Sequence, residues 1–430
     1  MKRIKKIIPG FLLNFYHYCF ALIGGVFYRL SFFTSKNMTV IGVTGTSGKT
    51  TTVEMIARIL EEAGYKVGVL SSVKFKIGSQ EEENKLKMTM PGRMMIPKFL
   101  RRARKCDYVV LEVTSEGIKQ YRHKFIHFDI AVLTNLSPEH IESHGSFEKY
   151  REAKLKLFQI AKKTHIINLD DENKDYFLPF PAERKYFFSL KNCRQKEKFF
   201  QENKNYQIIR AENIDISNQG ISFILKGTTF RLNLLGKFNI YNALAAISLG
   251  ISEGISLETC KRALEKFKKM PGRMEVVVKS PFTVIVDYAH TPNSLEKVYK
   301  TIKEGLKNKK SKMICVLGSC GGGRDKWKRP VLGEIAATYC DKVIITNEDP
   351  YDDDPEEIIE NVFQGTKGKG EKILDRREAI RKALEISQKN DIVIITGKGS
   401  EPWMCVEKGK KIPWDDRQIV REELRRLLEK

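Results

Sequence analysis

"VTGTSGKTTT", residues 43–52, is the stretch whose reading decides the fold. Before it stands "MTVIGV" (38–43), apolar and β-branched, the composition of a strand buried on both faces. After it, Val53, Ile56, Ala57, Ile59 and Leu60 recur at helical spacing, with Gly64 just beyond. Between strand and helix, Gly45 and Gly48 permit a tight turn that aims backbone N–H groups inward. A helix N-terminus adds partial positive charge, so this turn suits a polyphosphate. Lys49 would reach the β- and γ-phosphates, and Thr50 would offer its hydroxyl to Mg²⁺. The usual phosphate-loop spacing requires glycine where Val43 stands, so the loop is a variant. A bare strand-to-helix turn would need neither Lys49 nor Thr50.

Working outward, strands and helices alternate to about residue 180. "YVVLEVTSEG" (108–117) is a strand ending in Glu112, residues 129–134 form another, and "THIINLDDEN" a third. This is the pattern of a doubly wound parallel sheet. From 181 to 235 the pattern changes to short alternating strands. "NIYNALAAISLGISEG" is a helix, and "PGRMEVVV" (271–278) reads as a hinge. Beyond it, "FTVIVDYA", "KMICVLGS", "DKVIITNE" and "DIVIITGKG" are strands of a second α/β unit. The expected fold is α/β: a central P-loop-type doubly wound sheet with a small β-meander, then a Rossmann-like C-terminal α/β domain. The expected divisions are 1–37, 38–270 and 271–430.

Bulk composition is globular, at 430 residues and 41% hydrophobic. A formal net charge of +23 suits anionic partners. The lysines are dispersed and no RNP, zinc-knuckle or recognition-helix pattern accompanies them, so nucleic-acid binding is not expected. Eight cysteines, none in C-x-x-C, read as reduced cytosolic thiols. The N-terminus is unusual: "MKRIKK" precedes a stretch with no charge from 11 to 28. Asn14, His17 and Gly24-Gly25 weaken a spanning helix. Packing on the protein's own body or on another copy, an interfacial anchor and a true span are the alternatives, in that order. The expected location is cytoplasmic, with membrane association if residues 1–37 make peripheral contact; the oligomeric state is open.

Chemistry-bearing residues fall at strand ends, where ligands bind in such sheets. Glu112 can hold a metal ion, His140 stands in the loop after a strand, Lys154 lies on a helix, and Asp287 ends "VIVDYAH". Singly these are ordinary polar residues; their order and spacing carry the argument.

That order resembles the Mur ligases, the ATP-dependent amide-bond ligases of peptidoglycan synthesis. "GTSGKTTT", "EVTSEG…QYR", "TNLSPEHIESHG…YREAK", "GKFNIYNALAA", "PGRME", "DYAHTP" and "GSCGGGRDKWKRP" match in sequence over 38–430. "TNEDPYDDDP" and "TGKGSEPW" resemble the branch that adds a third, diamino residue. The resemblance implies that Gly45, Thr46, Ser47, Gly48, Lys49, Thr50 and Thr51 cradle ATP, with Asn239, Asn242, Arg273 and Asp287. It implies two Mg²⁺ ions, one at Thr50 and Glu112, the other at His140 near a carbamylated Lys154. Thr89, Thr114, Gln120 and Arg122 would bind a muramoyl-peptide acceptor. Glu348, Asp349, Tyr351, Gly397 and Glu401 would meet the incoming amino acid.

The family usually carries an N-terminal domain that grips a uridine nucleotide; the phosphate-loop strand here starts near residue 38, so that domain is not expected. Relatives that add diaminopimelate have D-N-P-R, whose arginine pairs with the far carboxylate; Tyr351 replaces it. With Glu348, Asp349, Asp352, Asp353, Asp354 and Glu401 nearby, a basic amino acid such as lysine is expected over meso-diaminopimelate. Glu116 and Ser400 stand where histidines are common. Folylpolyglutamate-type and cyanophycin-type ligases, and a non-catalytic membrane-attached ATP-binding scaffold, are the alternatives.

Overall fold

The structure is a computed structural model that describes residues 10–28, 38–86, 88–92, 94–192, 205–217, 220–268, 270–306 and 311–429. Residues 1–9 and 29–37, part of the expected N-terminal segment, lie outside this set.

The first α/β unit is a nine-stranded sheet. Its centre is Thr39–Thr44, parallel to Tyr108–Glu112 on one side and Ile130–Leu133 on the other. Both neighbours are buried throughout, which is why their sequences run apolar without alternation. Thr164–Asn168, Arg184–Ser189 and Tyr206–Arg210 continue the sheet in parallel. On the other side Val67–Leu70 is parallel, and an antiparallel pair, Lys74–Ile77 and Gln80–Glu83, forms the edge. The last of these is exposed at all four positions.

Two expectations are refined. Arg184–Ser189 and Tyr206–Arg210 belong to the large sheet, not to the meander, because their buried side chains join its two cores. The meander is Glu212–Ser217, Gly220–Leu225 and Thr228–Leu232, antiparallel throughout. The sequence reading also passed over the edge hairpin at 74–83, whose strands are only four residues long.

The helix Lys49–Glu62 starts where the central strand ends and packs against the helix Phe238–Ser252. Ile56, Ile59 and Leu60 are fully buried with Ile240, Leu244 and Ile247 in one core. The second unit is a six-stranded sheet in the order Glu275–Val278, Thr283–Val286, Ile392–Ile395, Met313–Leu317, Lys342–Ile345, Gly370–Lys372. Only its first pair is antiparallel.

The segment expected to be a hinge joins the units at a close approach. Gly272 has φ 62°, and a Cβ there would lie 2.1 Å from the Ser400 nitrogen. Only glycine fits that backbone conformation beside that neighbour.

The helix Gly10–Phe27 packs on the first unit through its glycines. A Cβ on Gly25 would meet the Phe125 ring at 2.8 Å, and one on Gly24 would meet Met94 at 3.0 Å. The glycine pair therefore serves close helix packing. Among the described residues no helix is long and apolar enough to cross a membrane. The seven described cysteines are all free.

Candidate active site

The phosphate loop is fastened from behind. Gly45 has φ 151°, and a Cβ there would lie 1.9 Å from Thr134 Oγ1; at Gly48, φ 80°, it would lie 2.4 Å from Asn242 Oδ1. The Ser47 N–H donates to Asn135 Oδ1 at 3.0 Å, and the Thr46 N–H to the Asn135 carbonyl at 2.9 Å. The Thr46 and Tyr150 hydroxyls share a hydrogen bond of 2.9 Å. The loop after the neighbouring strand thus fixes the turn, leaving its concave side to a ligand. Lys49 Nζ folds over that side and donates to the carbonyls of Gly45 (3.0 Å) and Thr46 (2.9 Å). Burial pushes its pKa down, against the pull of Glu112.

Beside the loop, Thr50 Oγ1 donates to Glu112 Oε2 at 3.1 Å and shares a hydrogen bond of 2.9 Å with Ser72 Oγ. The Ser72 N–H also donates to Glu112 Oε2, at 3.0 Å. One hydroxyl and one carboxylate at a phosphate loop are the hard-oxygen donors that Mg²⁺ takes together with substrate phosphates. The donor set fits that ion. Among the described residues no group of three or more His, Cys, Asp or Glu is placed to hold a metal without such help.

His140 takes a left-handed backbone conformation, φ 57°, and its Nδ1 lies 3.4 Å from Arg324 of the second unit. Burial and that guanidinium push its pKa down, so the ring is neutral and can act as a ligand. Lys154 is buried, and its Nζ donates to the Gly45 carbonyl at 2.8 Å. Burial, then the charge of Lys49, hold it well below the ordinary lysine range.

A cavity of about 770 Å³ lies between the two units. Thr46 to Thr51, Glu112, His140, Asn239, Asn242, Arg273 and Asp287 line it. So do Thr89, Thr114, Gln120, Arg122, Glu348, Asp349, Tyr351, Gly397 and Glu401. Of the residues singled out in the sequence, Gly45 and Lys154 do not reach the wall; they sit behind the loop and shape it. Asp287 has a second task, since its two oxygens accept the N–H groups of Met274 and Ala289, both at 2.7 Å, and so fix the hinge. Arg273 lies over the Tyr288 ring, 4.1 Å from its centroid.

The acidic loop differs from its sequence reading. Lys398, wholly buried, binds both oxygens of Asp349 at 2.9 Å and Glu401 Oε2 at 2.7 Å. Asp354 caps a helix by accepting from Glu356, Asp352 accepts the Lys408 N–H, and Asp353 accepts the Gly322 N–H. Glu348 is the exception. Cys320 donates to its Oε1 at 3.1 Å, while Oε2 is buried with no hydrogen-bond partner. Burial raises its pKa.

Sequence reasoning missed four contributors: Lys398, Ser72, Asn135 and the pair Glu139–Lys328. The last is a buried ion pair of 2.8 Å that bridges the units next to His140. The Glu142 N–H adds a bond to Asp325 Oδ1 at 2.9 Å.

A phosphate-type loop, a Thr–Glu oxygen pair beside it and a cleft shared with a second α/β unit are the features of a nucleotide-dependent enzyme of two joined units. The Mur ligase middle domain matches residues 43–250, and the Mur ligase glutamate ligase domain matches 272–399. The chain is 38% identical over 404 residues to the UDP-N-acetylmuramoyl-L-alanyl-D-glutamate–2,6-diaminopimelate ligase of Clostridium botulinum, covering 91% of this chain and 79% of that one. The ligase of the same name from Aquifex aeolicus is 37% identical, with 90% and 78% covered. A solved structure of a ligase of that name superposes with a TM-score of 0.59 at 31% identity, over 91% of this chain and 79% of the other. The chain belongs to the Mur ligase family, ATP-dependent, Mg²⁺-using ligases of peptidoglycan synthesis.

Proposed function

We propose that the chain adds a diamino acid to a UDP-muramoyl-L-Ala-D-Glu acceptor through an acyl phosphate. The observation that supports this most is the shared cavity. The phosphate loop, the Thr114–Arg122 wall and the Arg324–Glu348 wall face one space. The acceptor carboxylate attacks the γ-phosphorus of ATP, and ADP leaves. The amine of the incoming amino acid then attacks the acyl carbon, gives up a proton, and phosphate leaves.

Bound Mg²⁺, two ions in this reading, neutralises charge on the transferred phosphoryl group. Thr50 and Glu112 would hold one ion and His140 the other. Lys49 adds a fixed positive charge at the same group. Arg122, which donates to the Met90 carbonyl and to Gln120, has its guanidinium already oriented for the acceptor. The Glu139–Lys328 bridge holds the two units together beside the cleft, and closing the second unit over bound substrates would keep water from an acyl phosphate. Residues 38–270 bind nucleotide and acceptor, and 271–430 bring the amino acid.

Carbamylation of Lys154 belongs to this reading. Burial and then the charge of Lys49 push the Lys154 pKa down, which favours the unprotonated amine that adds CO₂, and the product anion would offset the charge of Lys49.

The amino acid is lysine-like. Glu348 Oε2 is left to receive an ammonium, and Tyr351 supplies no cation for a distal carboxylate. Diaminopimelate, named in the relatives, is the second reading and draws support from the cation Arg324 on the same wall. The protein works in the cytoplasm, with peripheral membrane contact through residues 1–37.

Phosphate release from ATP tests the ligase reading, with UDP-muramoyl-L-Ala-D-Glu and each amino acid in turn. Release that needs both acceptor and amino acid is the expected result; release indifferent to the acceptor refutes it.

A further inference from the structure

The helix Gly10–Phe27 is apolar on two faces. One face, with Gly24 and Gly25, packs on Met94, Pro97 and Phe125. The other carries Leu12, Phe15, Leu22, Ile23, Val26 and Phe27, the i, i+3, i+4 spacing of a stripe that globular proteins normally turn inward. Here the stripe faces out: Phe15 is 65% exposed, Val26 68% and Phe27 65%. A continuous apolar stripe of this kind marks an interaction surface.

We propose that this stripe is an interfacial helix that docks on an anionic lipid surface. The proposal names the partner for the membrane contact put forward above and rests on that reading. Charge selects the occupant. The stripe is preceded in sequence by Lys2, Arg3, Lys5 and Lys6. The helix Met95–Arg102, which it packs against, exposes Lys98, Arg101 and Arg102, and exposed Arg104 and Lys105 follow. Basic side chains beside an apolar, aromatic-rich helix are what an anionic bilayer surface attracts. A second copy of the chain, also at +23, would meet its own charge. A helix that lies in the interface need not span, and among the described residues no helix is long and apolar enough to cross a membrane.

The packed face also says which part of the cleft lies near the lipid. Tyr18 stacks edge-on against Tyr121, with ring centroids 5.7 Å apart. Tyr121 stands between Gln120 and Arg122, and Met94 lies four residues after Met90; all three of these neighbours line the cleft at its acceptor wall. Docking therefore sets the acceptor end of the cleft beside the headgroups.

Flotation of the full chain tests this, with vesicles of phosphatidylcholine alone and of phosphatidylcholine with phosphatidylglycerol. The chain is expected to float with the anionic vesicles, less with neutral ones, and less in high salt. The variant Phe15→Ser/Ile23→Ser/Val26→Ser changes only side chains that face out. It should lose binding about tenfold or more, while its melting temperature and its activity on the soluble UDP-linked acceptor stay unchanged. A wild-type chain that never floats, or a variant that floats as well as wild type, overturns the proposal. So does a wild-type dimer, seen by light scattering, that the variant breaks without any lipid binding. Activity on the soluble acceptor is scored separately, so failure of the ligase reading is visible as lost turnover with flotation intact.

Discussion

Lys328 Nζ lies 2.8 Å from Glu139 Oε1, and both side chains are buried. Glu139 precedes His140 in the first unit; Lys328 begins a helix of the second. The pair therefore joins the loop proposed for metal to the loop that carries Arg324. Lys328→Met leaves Glu139 buried and unpaired, a change that costs about 3–5 kcal/mol. Thermal melting should show a large fall for the single variant and a smaller one for Glu139→Gln/Lys328→Met. Equal falls would mean that the pair is not a unit.

Lys49→Ala removes the cation at the phosphate loop and should lower acceptor-dependent phosphate release by roughly a hundredfold or more. Gly45→Ala should do the same by another route, since its Cβ would lie 1.9 Å from Thr134 Oγ1. Normal turnover in either variant would put the nucleotide elsewhere.

For Lys154, an intact-protein mass spectrum under CO₂ should show the carbamate. Lys154→Ala should be nearly inactive and regain part of its turnover in formate or acetate, which restore anionic oxygens. An unmodified lysine in the fully active enzyme contradicts the assignment.

Lys398→Met would leave Asp349 and Glu401 without their shared cation. The cleft would become more acidic, so the ratio of kcat/KM for lysine to that for diaminopimelate should rise in direct competition. A fall in that ratio would show that Lys398 repels ammonium less than it positions its partners. Stability should fall as well, because two carboxylates in the cleft wall lose a buried partner.

Two histidines away from the cleft set an acid limit. Burial pushes His123 and His165 down from 6.5 to about 4. The unfolded chain then binds protons that the folded chain refuses, so stability is full above pH 6.5 and is lost as pH falls towards 4. The shift of 6.5 − 4 = 2.5 units corresponds to roughly 3 kcal/mol per histidine as an upper figure. His165→Gln, which keeps a polar side chain beside the Ala161 carbonyl, should flatten the fall in melting temperature across that range.

The sheet and the nucleotide side of the site were legible in the sequence because each rests on a local pattern. A buried strand, two glycines, a lysine and a helix specify the loop within ten residues. Lys398 illustrates what was not legible. Its two acidic partners lie 49 residues before it and three after it, and nothing local distinguishes it from a surface lysine. The acidity inferred from "EDPYDDDP" was therefore overstated, since most of those carboxylates cap helices, fasten turns or pair. The edge hairpin was missed for a different reason: "KFKIGSQEEE" is too polar to read as sheet, because one of its strands faces water on every side.

That hairpin forms one edge of the first unit's sheet. A wide sheet offers its last strand as a template on which another chain can pair, and such pairing does not stop at two. Here the last strand, Gln80–Glu83, holds Glu81, Glu82 and Glu83 in a row, all exposed. An identical strand approaching it would set glutamate against glutamate before any backbone hydrogen bond formed. Replacing Glu82 and Glu83 with threonine, while keeping Glu81 as the partner of Lys74 at 3.0 Å, would weaken this protection against fibre-like association.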